Sequence, residues 1–219
     1  LLSTRIVSDT LFLVTRYTPG LPDYIAFPVD KAQQESNDAV LQRAELPQIL
    51  PQARASRADA TTLVQSQDCY LPVSAVDGSR DPSIITITAV PLKNPRAHRS
   101  ICFLGASETQ YMTPDALYLA TTSWDYDVVA ADMLRYTPNH TTAIHKFALA
   151  AGDIVYRGSG TVKGHLGWHE DKKSFRMGAN NAYLNIATSV GDSWSETSST
   201  RLTVLKEAGN DRLQTVSVI

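Results

Sequence analysis

Three histidines, a few aspartates and a set of aromatic residues are the groups in this 219-residue chain whose types and spacing could do chemistry. His145, His165 and His169, with Glu170 and Asp171 following, come closest to a transition-metal constellation. His165 and His169 stand four apart, a spacing that a helix would align, but Gly164 and Gly167 argue against a helix there. His145 falls inside a strand pattern, where a half-buried, hydrogen-bonded imidazole is the ordinary use. A hard cation suits the available oxygens better. Asp125 and Asp127 in Trp124-Asp-Tyr-Asp127, or Asp192 after Gly191, could take Ca²⁺, although no Asp-x-Asp-x-Asp-Gly loop occurs.

Nucleophilic and phosphate chemistry find less support. Ser159 in Arg157-Gly-Ser-Gly160 is one residue short of a Gly-x-Ser-x-Gly elbow, and nothing around it predicts a strand-to-helix turn. Gly158-Ser-Gly160 and Gly164-His-Leu-Gly167 are glycine-rich, yet neither precedes a helical pattern or a Gly-Lys-Ser/Thr run. Those glycines are expected to mark bulges and tight strand crossings. Paired carboxylates for glycoside hydrolysis are set in space and leave no sequence spacing to read.

The aromatic residues sit where function concentrates. Trp124, Tyr126 and Tyr136 fall in one long connection, and Trp168 and Trp194 in others. Loops held by a rigid scaffold carry binding more often than its strands, and Trp and Tyr are common anchors of binding surfaces. Two uses stay open for these five: ligand contact, or packing of the loops onto the strands beneath. Asn139-His-Thr141 is a glycosylation sequon, meaningful only in a host that uses it.

The elements that must hold these residues read as strands. Leu11-Phe-Leu-Val-Thr15, Leu117-Tyr-Leu-Ala-Thr121 and Leu184-Asn-Ile-Ala-Thr188 are three versions of one run. A short strand-like run and a turn precede each: Thr4–Val7, Thr109–Met112 and Ser174–Met177. Further alternating pairs follow each copy: Ile84–Leu92 with Ser100–Leu104, Thr142–Leu149 with Ile154–Val162, and Thr200–Lys206 with Leu213–Ile219. A four-stranded unit recurring in one chain marks a propeller blade, so the fold class is expected to be an all-β β-propeller. The blade-like units span 4–105, 106–164 and 172–219. The first is interrupted by an insertion over 19–83, dense in proline and partly helical near 20–68. Within it Asp30–Leu46 predicts a helix that Pro47 stops, and Gln48–Leu50 a short turn. The insertion is expected to cap one face or to form a binding element.

Cys69 and Cys102 flank the strand pair Ile84–Leu92 and Ser100–Leu104, close enough to meet. They are either two buried thiols or a disulfide that pins the insertion to the sheet, which would require an oxidising compartment. Two cysteines without a CxxC cannot make a zinc site by themselves. A hydrophobic content of 43% and a charged content of 19% are those of an ordinary folded chain. The formal net charge of −2 gives no footprint for nucleic acid or an anionic membrane. No apolar run approaches the roughly 20 residues of a transmembrane segment. Leu1 stands directly before a strand pattern, so the chain is expected to be processed or cut from something longer.

The runs Thr142–Leu149, Tyr156–Gly164, Ser174–Met177 and Leu184–Ser189 resemble those of bacterial and archaeal secreted proteins with a C-terminal β-propeller domain, distantly related to WD40 repeats. Arg5-Ile-Val7, Leu11–Arg16 and Cys69-Tyr-Leu-Pro72 fit the same family, and the likeness runs from about residue 4 to 219. Family members usually carry an acidic residue and an aromatic after the Ser-Phe-x-Met run, where this chain has Gly178-Ala179, and they are longer. The resemblance implies fold and a secreted, periplasmic or cell-surface location, and almost no chemistry.

Three units make about twelve strands, whereas propellers close with about four to eight blades, and open sheet edges are aggregation-prone. The remaining blades are therefore expected from a longer parent chain, a partner chain or copies of the chain itself. The function expected is that of an extracytoplasmic scaffold or binding module, presenting loops and a central channel to a protein or small ligand. The alternatives are a hydrolase or metal-dependent enzyme with its site at the channel mouth, and a structural subunit of a larger assembly.

Overall fold

The computed structural model describes residues 1–54, 59–71, 83–124, 126–128, 136–191 and 198–219, with the backbone alone for 126–128 and 136–138. The chain divides into two compact units, Leu1–Ala106 and Ser107–Ile219.

In the first unit β1 (Ser3–Val7) and β2 (Thr10–Tyr17) form a hairpin, and β2 continues onto β6 (Ile84–Pro91) and then β7 (Arg99–Leu104), all antiparallel. Along β6, Ile84 to Ala89 are all buried, and β-branched residues dominate the run, as a central strand requires. Pro91 ends it without interrupting the ladder.

Between β2 and β6 lies the insertion, with α1 (Lys31–Arg43) and α2 (Leu46–Ile49), the short strands β3 (Gln52–Ala53) and β4 (Thr61–Thr62), and β5 (Cys69–Tyr70). Asp30 caps α1 by accepting from the Gln33 N–H at 2.8 Å. The helix stops at Arg43, short of the expected Leu46. Pro47 then opens α2 rather than merely stopping α1, because a first-turn N–H has no helical partner to lose. Leu50 and Val64 pack with Ile84 and Cys102 in one core cluster, so the insertion covers part of this sheet. Strand β5 lies parallel to β7, with Cys69 opposite Cys102, and the two are joined in a disulfide.

The second unit holds two four-stranded antiparallel meanders. One is β8 (Thr109–Met112), β9 (Ala116–Ser123), β12 (Thr141–Ala150) and β13 (Asp153–Lys163). The other is β14 (Met177–Asn180), β15 (Tyr183–Val190), β16 (Ser199–Ala208) and β17 (Arg212–Val218). Between β9 and β12 a small hairpin of β10 (Tyr126–Val128) and β11 (Tyr136–Pro138) stands apart. A parallel bridge, Ser159 to Arg212, links the two meanders through β13 and β17.

Their facing sides share one core: Tyr118 and Ala120 from β9, Ile144 from β12, Val162 from β13, with Ile186 from β15 and Leu205 from β16. The approach at the β13–β17 bridge depends on glycine. A Cβ at Gly158, whose φ is +136°, would lie 2.4 Å from the Asp211 carbonyl carbon, and one at Gly160 would lie 2.6 Å from the Leu213 oxygen.

One expected strand is a helix. Ser174–Arg176 belongs to a 3-10 segment, Glu170–Arg176, and β14 begins only at Met177. The helical turn brings Lys173, 3% exposed, into ion pairs with Glu108 at the edge of the first meander and with Glu170. An extended run would alternate its side chains and could not present Lys173 and Glu170 to each other. Burial works against the Lys173 charge, but Glu108 and Glu170 outweigh it and hold the ammonium above its ordinary range. Among the described residues, no helix is long and apolar enough to cross a membrane.

Candidate functional site

The threonines at the strand ends build the site. Thr142 Oγ1 donates to the Gly164 carbonyl at 2.7 Å, and Thr188 Oγ1 donates to the Lys163 carbonyl at 2.6 Å. The Gly164 N–H donates to the His140 carbonyl at 2.6 Å, and His165 and Ser189 exchange both backbone hydrogen bonds at 2.9 Å. The segment after β13 is thus tied to β12 on one side and to β15 on the other. Gly164, at φ +98°, allows the crossing, since a Cβ there would meet the Ser189 oxygen at 2.5 Å.

Four rings converge on this segment. Trp124 follows β9 and His140 precedes β12. Because Ser123 pairs with Thr141, the next step of the register sets Trp124 against His140, and their centroids are 4.8 Å apart, edge to face. His165 lies 5.1 Å from Trp124 and 5.7 Å from His140. Trp168 stacks on Trp124 at 4.7 Å with 24° between the planes. The histidines form the floor, at 4% and 2% exposure, while Trp124 and Trp168 remain 38% and 56% exposed.

The His165 imidazole is committed to the backbone. Its Nδ1 accepts from the Gly167 N–H at 3.0 Å, so the ring proton of the neutral form belongs on Nε2. Burial above all, then the nearby His140 and Arg176, pulls its pKa below the ordinary histidine value. A metal at Nδ1 would have to displace the Gly167 contact.

Beside Trp168 opens a cavity of about 330 Å³, lined by Trp168, His169, Arg176, Ser189, Gly191 and Thr200 among others. Arg176 reaches it from the end of the 3-10 segment. It donates from Nη1 to Ser189 Oγ at 3.1 Å, and its guanidinium lies where a Gly167 Cβ would need room.

A second cavity of about 320 Å³ lies at Tyr156, Arg157, Glu207 and Asp211. Its charges are already matched, with Glu207 bridging Lys146 at 2.7 Å and Arg157 at 2.8 Å. Burial raises the Glu207 pKa, but the hydrogen bonds from Arg157 and Lys146 outweigh it and leave the carboxyl below its usual range.

Of the residues expected from sequence, Trp124, Trp168 and His165 come together here, and His169 lines the same cavity. His145 belongs elsewhere, in mid-β12, with Nδ1 3.3 Å from the Tyr156 hydroxyl. Among the described residues no three His, Cys, Asp or Glu side chains form a metal-holding group. Tyr126, Asp127 and Tyr136 are placed by backbone in β10 and β11, where Asp127 pairs with Thr137. Asp125, Asp192 and Trp194 lie outside the described residues.

Sequence patterns do not single out His140 or Arg176. The first is legible in principle from the β9–β12 register. Nothing in the sequence signals the second, which faces the cavity only because Glu170–Arg176 is helical.

A family model described as a β-propeller domain matches residues 1–219. None of the curated proteins compared matches the chain.

Proposed function

Because the chain belongs to the β-propeller domain family, and its all-β fold is built of four-stranded antiparallel meanders, we propose that it is an extracytoplasmic scaffold that binds a ligand or protein partner on the Trp124–Trp168 platform. The observation that carries this reading is a pair of stacked indoles held over buried histidines and yet left open to solvent. Two indoles stacked on each other at the surface offer the kind of aromatic anchor on which binding surfaces are built. Here the floor is hydrogen-bonded and fixed, so the rings are presented as a preorganised surface.

The secreted, periplasmic or cell-surface location is supported by the Cys69–Cys102 disulfide, which persists in oxidising compartments. The same reading relates the chain to the secreted, WD40-like members of the family. Its blades belong to a ring completed by a longer parent chain or a partner chain, because closed rings take about four to eight blades.

The test is an array of glycans and peptides probed with the wild-type chain and with Trp124→Ala/Trp168→Ala. A set of ligands bound by the wild type and lost with the variant is expected. Binding that survives the double substitution, or a wild type that binds nothing on the array, overturns the reading. For compartment, thiol labelling of protein isolated without reductant should find Cys69 and Cys102 protected, and labelled cysteines would contradict it. Light scattering adds a check on the ring: a monodisperse species at 23.9 kDa argues against partner-supplied blades.

A further inference from the structure

We propose that the cavity beside Trp168 is a subsite for an acidic saccharide, holding a hexuronate carboxylate on Arg176 and the C–H face of the sugar ring on Trp168. The assignment rests on the Trp124–Trp168 platform being a binding surface, and it names the ligand class.

The first argument is charge. Arg157, Arg99, Lys146 and Lys173 each have a carboxylate partner. Among the described residues none lies within ion-pair distance of Arg176, which donates one hydrogen bond to a neutral serine. A guanidinium has five N–H donors, and among the described residues one hydroxyl, that of Ser189, takes one of them. Arginine matches a planar carboxylate with two parallel hydrogen bonds, a geometry a lysine cannot offer.

The second argument is the count of positive groups. A phosphate usually draws on several backbone N–H groups or a second cation. Here the Gly167 N–H is spent on His165 Nδ1 and the Ser189 N–H on the His165 carbonyl. The His165 ring is held below its ordinary pKa, so it adds no charge near neutrality. Apart from that neutral ring and His169, Arg176 is the one basic side chain among the described residues of the lining, and its guanidinium matches one carboxylate.

The third argument is the wall. Ser198, Ser199 and Thr200 line the cavity with hydroxyls and are solvent-exposed, which suits the hydroxyls of a sugar rather than an apolar side chain. Trp168 supplies the single apolar face. Its stacking on Trp124 fixes the ring plane, so a sugar can stack without first ordering the indole. A volume of about 330 Å³ lies at the small end of ligand pockets and suits one ring of a longer chain.

Calorimetry with trimers of galacturonate, glucuronate and mannuronate, each compared with its methyl ester, tests the assignment, because esterification removes the charge and keeps the ring. At least one acid trimer should bind about tenfold to a hundredfold more tightly than its ester, the range for a charge-assisted hydrogen-bonded pair. Arg176→Gln should abolish that preference, so that acid and ester bind the variant with equal affinity. Arg176→Lys, which keeps the charge, should retain part of the preference. Trp168→Ala should weaken acid and ester alike.

Equal binding of acid and ester, a preference that survives Arg176→Gln, or no binding of any trimer overturns the proposal. Trp168-dependent binding of a peptide, or of a neutral glycan more tightly than of every acid trimer, would refute the acidic-sugar assignment while leaving the platform standing. If neither Trp168→Ala nor Trp124→Ala changes the binding of any probe, the platform itself fails.

Discussion

His145 and His165 lie in one unit and meet different environments, with consequences that can be measured. His145 sits between β9 and β13, opposite Leu119 and Ser159, and its burial lowers its pKa to about 4. In the unfolded chain the same imidazole titrates near 6.5. As pH falls, the unfolded state takes the proton first. The contribution of the neutral ring is therefore complete above about pH 6.5, declines through the window from 6.5 to 4, and levels off below that. A tenfold difference in proton affinity between the folded and unfolded chain is worth about 1.4 kcal/mol, and partial solvent access reduces the total to about 2 kcal/mol. Urea unfolding at about pH 7.5 and about pH 4.5, on either side of most of that window, should show the wild type losing roughly that much more stability than His145→Gln. Equal losses in the two proteins would show that His145 is not a source of acid lability. His165 is shifted in the same direction, so the variant should keep a residual pH dependence. Sequence places both histidines but cannot separate them. The strand that carries His145 is legible from its alternation, whereas the ring cluster at His165 needs the β9–β12 register and the β13–β15 crossing together.

At the scale of elements, the contact between the two meanders of the second unit concentrates at β13 and β17. The strand itself is legible: Ile154–Val162 alternates, and Asp153 follows a glycine turn. Its glycines also signal close crossing, and Gly158 and Gly160 do lie against the backbone of 211–213. What the residues do not reveal is the partner strand, because proximity to β17 is a tertiary fact. The opposite failure occurs at Ser174–Met177, where a polar-apolar alternation of four residues fits a strand and a 3-10 turn equally well. The buried Lys173–Glu108 pair decides it, and it joins residues too distant in sequence to be seen in a local pattern. The crossing makes a sharp prediction. Gly158→Ala would need the β17 backbone to move and would place a side chain at φ +136°, so a loss of about 2–4 kcal/mol is expected. Gly178→Ala is the control, since nothing lies within 4 Å of the added Cβ there, and it should change stability by less than about 1 kcal/mol. Thermal melts of the two variants check this, and similar melting temperatures would mean the β13–β17 approach is not tight.

At the scale of the whole molecule, the chain carries two cores with separate reporters. The disulfide lies wholly within Leu1–Ala106, where it ties β5 of the insertion to β7. All three tryptophans, Trp124, Trp168 and Trp194, fall by number within Ser107–Ile219. Cross-linking residues 33 apart removes loop entropy from the unfolded chain worth about 3–4 kcal/mol. For a unit of roughly a hundred residues, that corresponds to a melting shift on the order of 10–20 °C. Reduction should therefore act on the first unit. Its sheet signal, followed by circular dichroism, should melt earlier by that amount, while the tryptophan fluorescence transition stays within a few degrees of its oxidised position. Both signals shifting together would show that the units unfold as one cooperative body, and neither shifting would show that the disulfide does not stabilise the insertion. The same comparison bears on the site. If the Trp124–Trp168 surface survives reduction, ligand capture there depends on the two meanders and their threonine-anchored crossing alone, and the disulfide serves the sheet that carries the insertion.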